Sequence, residues 1–121
     1  MKPIKHILIA DDDEGIIDSL RLLLEEFDYQ VSTEMNGNEL YNLQKPYPDL
    51  ILLDIWMSGV DGRDICIALK KQKSTQNIPI IMLSANKDTE QIAKEANADD
   101  FVTKPFDFET LQNKIEKYIK K

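Results

Sequence analysis

Apolar positions along the chain fall into two alternating patterns. Short unbroken runs occur at Ile7-Leu-Ile-Ala10, Leu50-Ile-Leu-Leu53 and Ile78-Pro-Ile-Ile-Met-Leu83, with a weaker one at Asp100-Phe-Val-Thr103. Tyr29-Gln-Val-Ser-Thr33 reads as a half-buried edge strand. Runs this short, bounded by Asp, Gly, Asn and Pro, predict strands buried on both faces. Between them the spacing becomes helical. Ile16, Ile17, Leu20, Leu23, Leu24 and Phe27 form one face, begun by Asp13 or Glu14. Asn36-Gly37 opens a short helix around Leu40 and Leu43 that Pro46 and Pro48 close. Ile65, Cys66 and Leu69 follow Asp61-Gly62; Ile92, Ala93 and Ala96 form a thin face; Phe108, Leu111, Ile115 and Ile119 form the last. Five strand–helix units predict an α/β fold: a (βα)5 three-layer sandwich around a parallel five-stranded sheet in the order 2-1-3-4-5.

Length is consistent with this. The chain has 121 residues, 42% of them apolar, which suits one domain over 1–121, because halves of about 60 residues would be marginal without disulfides or metals. Lys and Arg total 15 against 22 Asp and Glu, a net charge of −7. That balance disfavours nucleic acid as a partner. The one basic cluster, Lys114, Lys117, Lys120 and Lys121, also suits the dipole at the end of a helix. Cys66 is the single cysteine and lies on an apolar helix face, so the chain has no intrachain disulfide and suits a reducing compartment. No apolar run reaches the ~18–20 residues of a membrane span, and the N-terminus does not read as a signal peptide. A cytoplasmic domain without membrane partners is expected.

In such a sheet the ligand site lies at the carboxyl ends of the strands. The first strand ends in Asp11-Asp12-Asp13, the third in Asp54, the fourth in Ser84 and the fifth in Lys104-Pro105. The second ends in Ser32-Thr33-Glu34 with no evident constellation. Acidic, acidic, hydroxyl and cationic groups thus share one rim. Packed carboxylates repel one another and a cation relieves them. A hard oxygen site without His or Cys suits Mg²⁺ rather than zinc or copper. Ser84 can donate to a phosphoryl oxygen, Lys104 can supply positive charge, and Asp54 is placed to attack phosphorus. Metal and Lys would together stabilise in-line transfer.

Each group also has a plainer role. Asp13 suits a helix N-cap better than a metal ligand. Asp11 and Asp12 taken alone suit a solvated loop, and serines end many strands. His6 precedes the first strand, away from the rim, and is expected on the surface. Asp54 is harder to explain without partners, because it follows the apolar run Leu50–Leu53.

The motifs Ile7-Leu-Ile-Ala-Asp-Asp-Asp13, Pro48-Asp-Leu-Ile-Leu-Leu-Asp-Ile-Trp-Met-Ser-Gly-Val-Asp-Gly62, Ile78-Pro-Ile-Ile-Met-Leu-Ser-Ala85 and Phe101-Val-Thr-Lys-Pro-Phe106 resemble the receiver domain of two-component response regulators, a flavodoxin-like family. The resemblance runs over essentially the whole chain. It implies that Asp54 is the phosphoacceptor and that Asp11, Asp12, Asp54 and the carbonyl of Trp56 hold Mg²⁺. It further implies that Ser84 and Lys104 contact the phosphoryl group, with Lys104-Pro105 cis. Phe101 matches an aromatic switch that turns inward when Ser84 moves toward the phosphate. The implied donor is a histidine kinase or a histidine phosphotransfer protein. The output is an altered surface on the fourth helix, fifth strand and fifth helix, offered to a downstream protein. The resemblance implies a switch that loses its phosphoryl group by itself, not an enzyme with a separate substrate.

The chain departs from the family in two places. Ser58 stands where the family usually has Pro, and Phe101 lacks the hydroxyl of the common Tyr. Trp56 and Asn86 occupy positions that influence phosphoryl lifetime in the family. An indole beside the acyl phosphate is expected to hinder attacking water. Two other readings compete. A haloacid-dehalogenase-type phosphatase uses similar groups, and Asp11-x-Asp13 formally satisfies its motif, but the cap and second acidic pair of those proteins are missing. A non-phosphorylated, partner-binding receiver is disfavoured because every key position is filled. The starting Met and lack of a linker suggest a stand-alone receiver.

Overall fold

A computed structural model of the chain describes residues 3–57, 59–85 and 87–119. Ser58, Asn86, Lys120 and Lys121, each singled out above, lie outside the described residues. The elements in chain order are β1 (His6–Ala10), α1 (Glu14–Glu26), β2 (Gln30–Glu34), a 3₁₀ helix (Gly37–Asn42), β3 (Leu50–Asp54), β4 (Trp56–Met57), β5 (Val60–Asp61), α2 (Gly62–Lys71), β6 (Ile80–Ser84), α3 (Thr89–Glu95), β7 (Asp100–Thr103) and α4 (Phe108–Ile119). The main sheet has the order β2-β1-β3-β6-β7, with every neighbouring pair parallel. This is the expected 2-1-3-4-5 arrangement once the small β4–β5 ribbon is counted separately.

The period-2 pleat explains why the strand runs contain no polar break. Ile7 and Ile9, Leu50 and Leu52, and Ile81 and Leu83 pack with Ile17, Leu20 and Leu24 of α1 and Leu111 and Ile115 of α4. Their alternate neighbours Leu8, Ala10, Ile51, Leu53, Ile80 and Met82 pack with Leu40, Ile65, Cys66, Leu69, Ile92 and Ala93 on the other side. Each central strand therefore serves two cores at once.

Several local expectations shift. The fourth sheet strand starts at Ile80 rather than Ile78, because the Ile78 N–H closes a turn onto the Thr75 carbonyl (3.0 Å) and Pro79 has no N–H to offer. The second helix is 3₁₀ and ends at Asn42, with Leu43 extended at φ −57°, ψ 135°. His6 is part of β1 and half-buried, its Nε2 2.6 Å from Ser32 Oγ, so it is not a surface residue. Phe27 leaves the helix as its C-cap and stays about half exposed, stacking on Phe108 with ring centroids 5.6 Å apart. Asp13 caps α1, accepting from the N–H groups of Gly15 (2.9 Å) and Ile16 (3.2 Å). Cys66 is fully buried, and burial pushes its thiol up to about 11. Among the described residues no helix is long and apolar enough to cross a membrane.

Candidate functional site

Backbone pairing carries the rim residues slightly past the strands. The Asp11 N–H donates to the Glu34 carbonyl (3.2 Å), and the Lys104 N–H donates to the Ser84 carbonyl (2.7 Å). Asp54 and Ser84 are the last residues of β3 and β6. Alternation then sorts them. Asp11, Asp54 and Lys104 continue the parity of Ile9, Leu52 and Val102, which face α1 and α4. Ser84 continues the parity of Met82, on the side where Phe101 packs. Strand parity thus separates a charged group from a hydroxyl–aromatic pair.

On the charged side the Lys104 ammonium donates to Asp11 Oδ2 (2.9 Å) and, more loosely, to Asp54 Oδ1 (3.4 Å). Asp11 is fully buried, and its Oδ1 accepts the Asp13 N–H (2.9 Å). One carboxylate oxygen from each of Asp11, Asp12 and Asp54 lies within 4.8 Å of the others. Three carboxylates against one ammonium leave a surplus of negative charge. Burial, then the charge of Asp11, push the Asp54 carboxyl up to about 6, while Lys104 pulls the other way. Burial alone would lower Lys104, but the hydrogen bond and charge of Asp11, followed by Asp54, raise it above its ordinary value. Carboxylate oxygens carrying a surplus of negative charge are what a hard cation takes. Lys104–Pro105 is cis, as is Lys45–Pro46, which was not expected.

The remaining sites fall nearby. Ser84 is buried at the carboxyl end of β6 and Phe101 is half-buried on β7. Trp56 stands in the β4–β5 ribbon opposite Asp61 and is 59% exposed. Asp13, whose carboxylate serves the cap, is not one of the metal-ligand trio, which weakens the reading of Asp11-x-Asp13 as a nucleophile motif.

Two residues escaped the sequence reading. Gly62 heads α2, where an added Cβ would overlap the Asp54 carbonyl oxygen and sit 2.9 Å from that of Ile55. Its lack of a side chain lets the helix start press on the backbone beneath Asp54. The Asp-Gly pair marked only a helix start in the sequence. Lys114, expected as part of a basic cluster suited to a helix end, is bound instead to Asp100 and Phe101.

The response regulator receiver domain model matches residues 7–116. The response regulator ArlR of Staphylococcus aureus is 36% identical over 119 residues, covering 96% of this chain and 53% of that protein. The chain thus spans about half the length of the curated relatives it matches. The signal receiver domain of a signal transduction histidine kinase from Syntrophus aciditrophicus superposes with a TM-score of 0.87 at 33% identity, over 96% of this chain and 90% of that one. The response regulator TrrA from Thermotoga maritima, in complex with Mg²⁺–BeF, has a TM-score of 0.83 at 31% identity, over 95% and 99%.

Proposed function

The chain belongs to the response regulator receiver domain family, and from that we propose that Asp54 accepts a phosphoryl group from the phosphohistidine of a histidine kinase or histidine phosphotransfer protein in the cytoplasm. It is a signalling switch rather than an enzyme with its own substrate. The observation that carries the reading is the rim itself: a nearly buried carboxylate, two further carboxylates within 4.8 Å and a lysine bridging Asp11 and Asp54.

In the transfer an Asp54 carboxylate oxygen forms a bond to phosphorus as the phosphorus–nitrogen bond to the donor histidine breaks, and the imidazole leaves with the electron pair and takes up a proton. Asp54 must be ionised to attack, and Lys104 favours that form. Asp11, Asp12, Asp54 and the Trp56 carbonyl would hold Mg²⁺, which supplies charge neutralisation for the carboxylates and the phosphoryl oxygens. The Mg²⁺–BeF complex of the Thermotoga maritima relative supports Mg²⁺ as the cation. Lys104 and Ser84 contact the phosphoryl oxygens, and added charge of about −1.5 to −2 at neutral pH draws Ser84 toward it. Phe101, on the same sheet face as Ser84, turns into the space released and alters the α3–β7–α4 surface read by a downstream protein. Attack of water on phosphorus later releases phosphate and restores the carboxylate.

The test is intact mass after incubation with Mg²⁺ and acetyl phosphate, with Asp54→Asn and a chelator as controls. One added phosphoryl group, dependent on Mg²⁺ and absent from the variant, is the expected result. An adduct of equal amount on Asp54→Asn, or no adduct together with no consumption of donor and no Mg²⁺ binding, would overturn the reading.

A further inference from the structure

Phe101 is held at three points by one ion pair. The Lys114 ammonium, reaching from α4, lies 4.6 Å from the centroid of the Phe101 ring. The same ammonium donates to the Phe101 carbonyl oxygen (2.6 Å) and to Asp100 Oδ1 (3.0 Å). Asp100 Oδ1 also accepts the Phe101 N–H (2.8 Å), and its Oδ2 accepts the Tyr118 hydroxyl (3.1 Å). The pair is partly shielded, with side-chain exposures of 28% for Lys114 and 16% for Asp100, so solvent weakens it less than it would a surface pair.

The ring itself has only its π face to offer. A phenylalanine cannot anchor through a hydroxyl, so among the described residues the cation over the ring is its one polar tie. The ring also borders two hollows. One of about 310 Å³ lies toward α4, lined in part by Lys114, Thr110 and Pro105. Another of about 130 Å³ lies under α3, lined in part by Ala93, Ala98 and Glu90. Small side chains on the α3 side and a helix of seven residues leave the ring a place to turn without unfolding the sheet.

We propose that the Asp100–Lys114 pair is a latch on Phe101, holding the ring in its half-buried place and so opposing occupation of the phosphoryl site. The inference rests on the reading of Asp54 as acceptor and of Ser84 and Phe101 as the moving pair. Turning the ring inward separates it from the ammonium, while the bonds of Lys114 to Asp100 and to the Phe101 carbonyl can persist. Whatever weakens the ring contact then tightens binding at the rim, by up to the same factor when the latched state predominates. Lys114 is a positioning residue, acting on the rim through Phe101.

The experiment titrates beryllium fluoride into the protein with Mg²⁺ present, followed by the fluorescence of Trp56, the single tryptophan, two residues from Asp54. Lys114→Gln keeps donors for Asp100 and the carbonyl but removes the cation. It is expected to bind roughly two- to fivefold tighter than wild type, the range of an exposed cation–π contact. Lys114→Arg should match wild type, and Asp100→Asn, which keeps an acceptor for the Phe101 N–H, should tighten binding in the same direction. In a Phe101→Ala background Lys114→Gln should have no effect. Thermal melts without ligand identify a variant that fails to fold, in which case Asp100→Asn decides. Binding by Lys114→Gln no tighter than wild type, or equal tightening without the ring, overturns the latch alone. A wild type that takes up no beryllium fluoride overturns the phosphoacceptor reading and the latch together.

Discussion

Replacing Asp54 by asparagine should stabilise the metal-free protein at pH 8 and leave its stability nearly unchanged at pH 4. The cause lies in the crowding of the rim: burial and the neighbouring Asp11 carboxylate raise Asp54 from 3.8 to about 6 despite Lys104. A carboxyl raised in the folded state binds its proton more tightly there than in the unfolded chain. Below pH 3.8 it is protonated in both states and contributes nothing. As pH climbs from about 4 to about 6 the folded state holds the extra proton, so stability falls with rising pH, and above that window the penalty is complete. The rise corresponds to a penalty on the order of 3 kcal/mol, at about 1.36 kcal/mol per pKa unit. Asparagine has nearly the same shape and no charge to desolvate. The attraction of Lys104 is already counted in the raised value, and Lys104 keeps its shorter bond to Asp11. Urea unfolding of wild type and Asp54→Asn in EDTA, at half-unit steps from pH 4 to pH 8, gives the difference directly. It should grow through the window and then level at about 3 kcal/mol by pH 8, which a thermal melt reads as a melting-point gain of roughly 10 °C. Adding Mg²⁺ should stabilise wild type more than the variant and narrow the gap. A difference that stays flat between pH 4 and pH 8 would refute the argument that an unrelieved carboxylate is held at this rim.

Three further variants have defined expected outcomes. Gly62→Ala should destabilise the fold by roughly 2–3 kcal/mol in urea melts, because its Cβ meets fixed backbone at Asp54 rather than a side chain that can swing away. The same variant should phosphorylate more slowly than wild type from acetyl phosphate, since the backbone under the acceptor must shift. Asp13→Ala should lose about 1 kcal/mol through its two vacated helix N–H bonds, with Mg²⁺ affinity retained, as checked by calorimetry. Trp56→Ala should shed its phosphoryl group faster than wild type in a mass-spectrometric decay series; an unchanged or slower rate would remove the indole from any shielding role.

Much of this was readable before the fold was known, and the reason differs from element to element. Leu50–Leu53 had to be a two-sided buried strand because no position in it tolerates water, and a carboxylate after such a run demands company. Gly62, by contrast, carries no signal beyond the start of a helix, since what its side chain would strike belongs to a strand end eight residues earlier. The 3₁₀ geometry of Gly37–Asn42 was also out of reach, because one buried leucine per turn does not separate two kinds of short helix. His6 looked peripheral from its place in the chain, and only the pairing of β1 with β2 sets it against Ser32.

The chain's own residues dictate the alternation of strand and helix and the identity of the residues at each strand end. Those are local properties, governed by burial and by the pleat, and neighbours along the chain suffice to express them. Tertiary structure alone decided that Lys104 bridges Asp11 and Asp54 across separations of 93 and 50 positions, and that a helical lysine closes over Phe101. Such contacts depend on strand register and on how α4 lies against the sheet. No periodicity records them, because charge and ring meet only after the two cores have fixed the distance between their backbones.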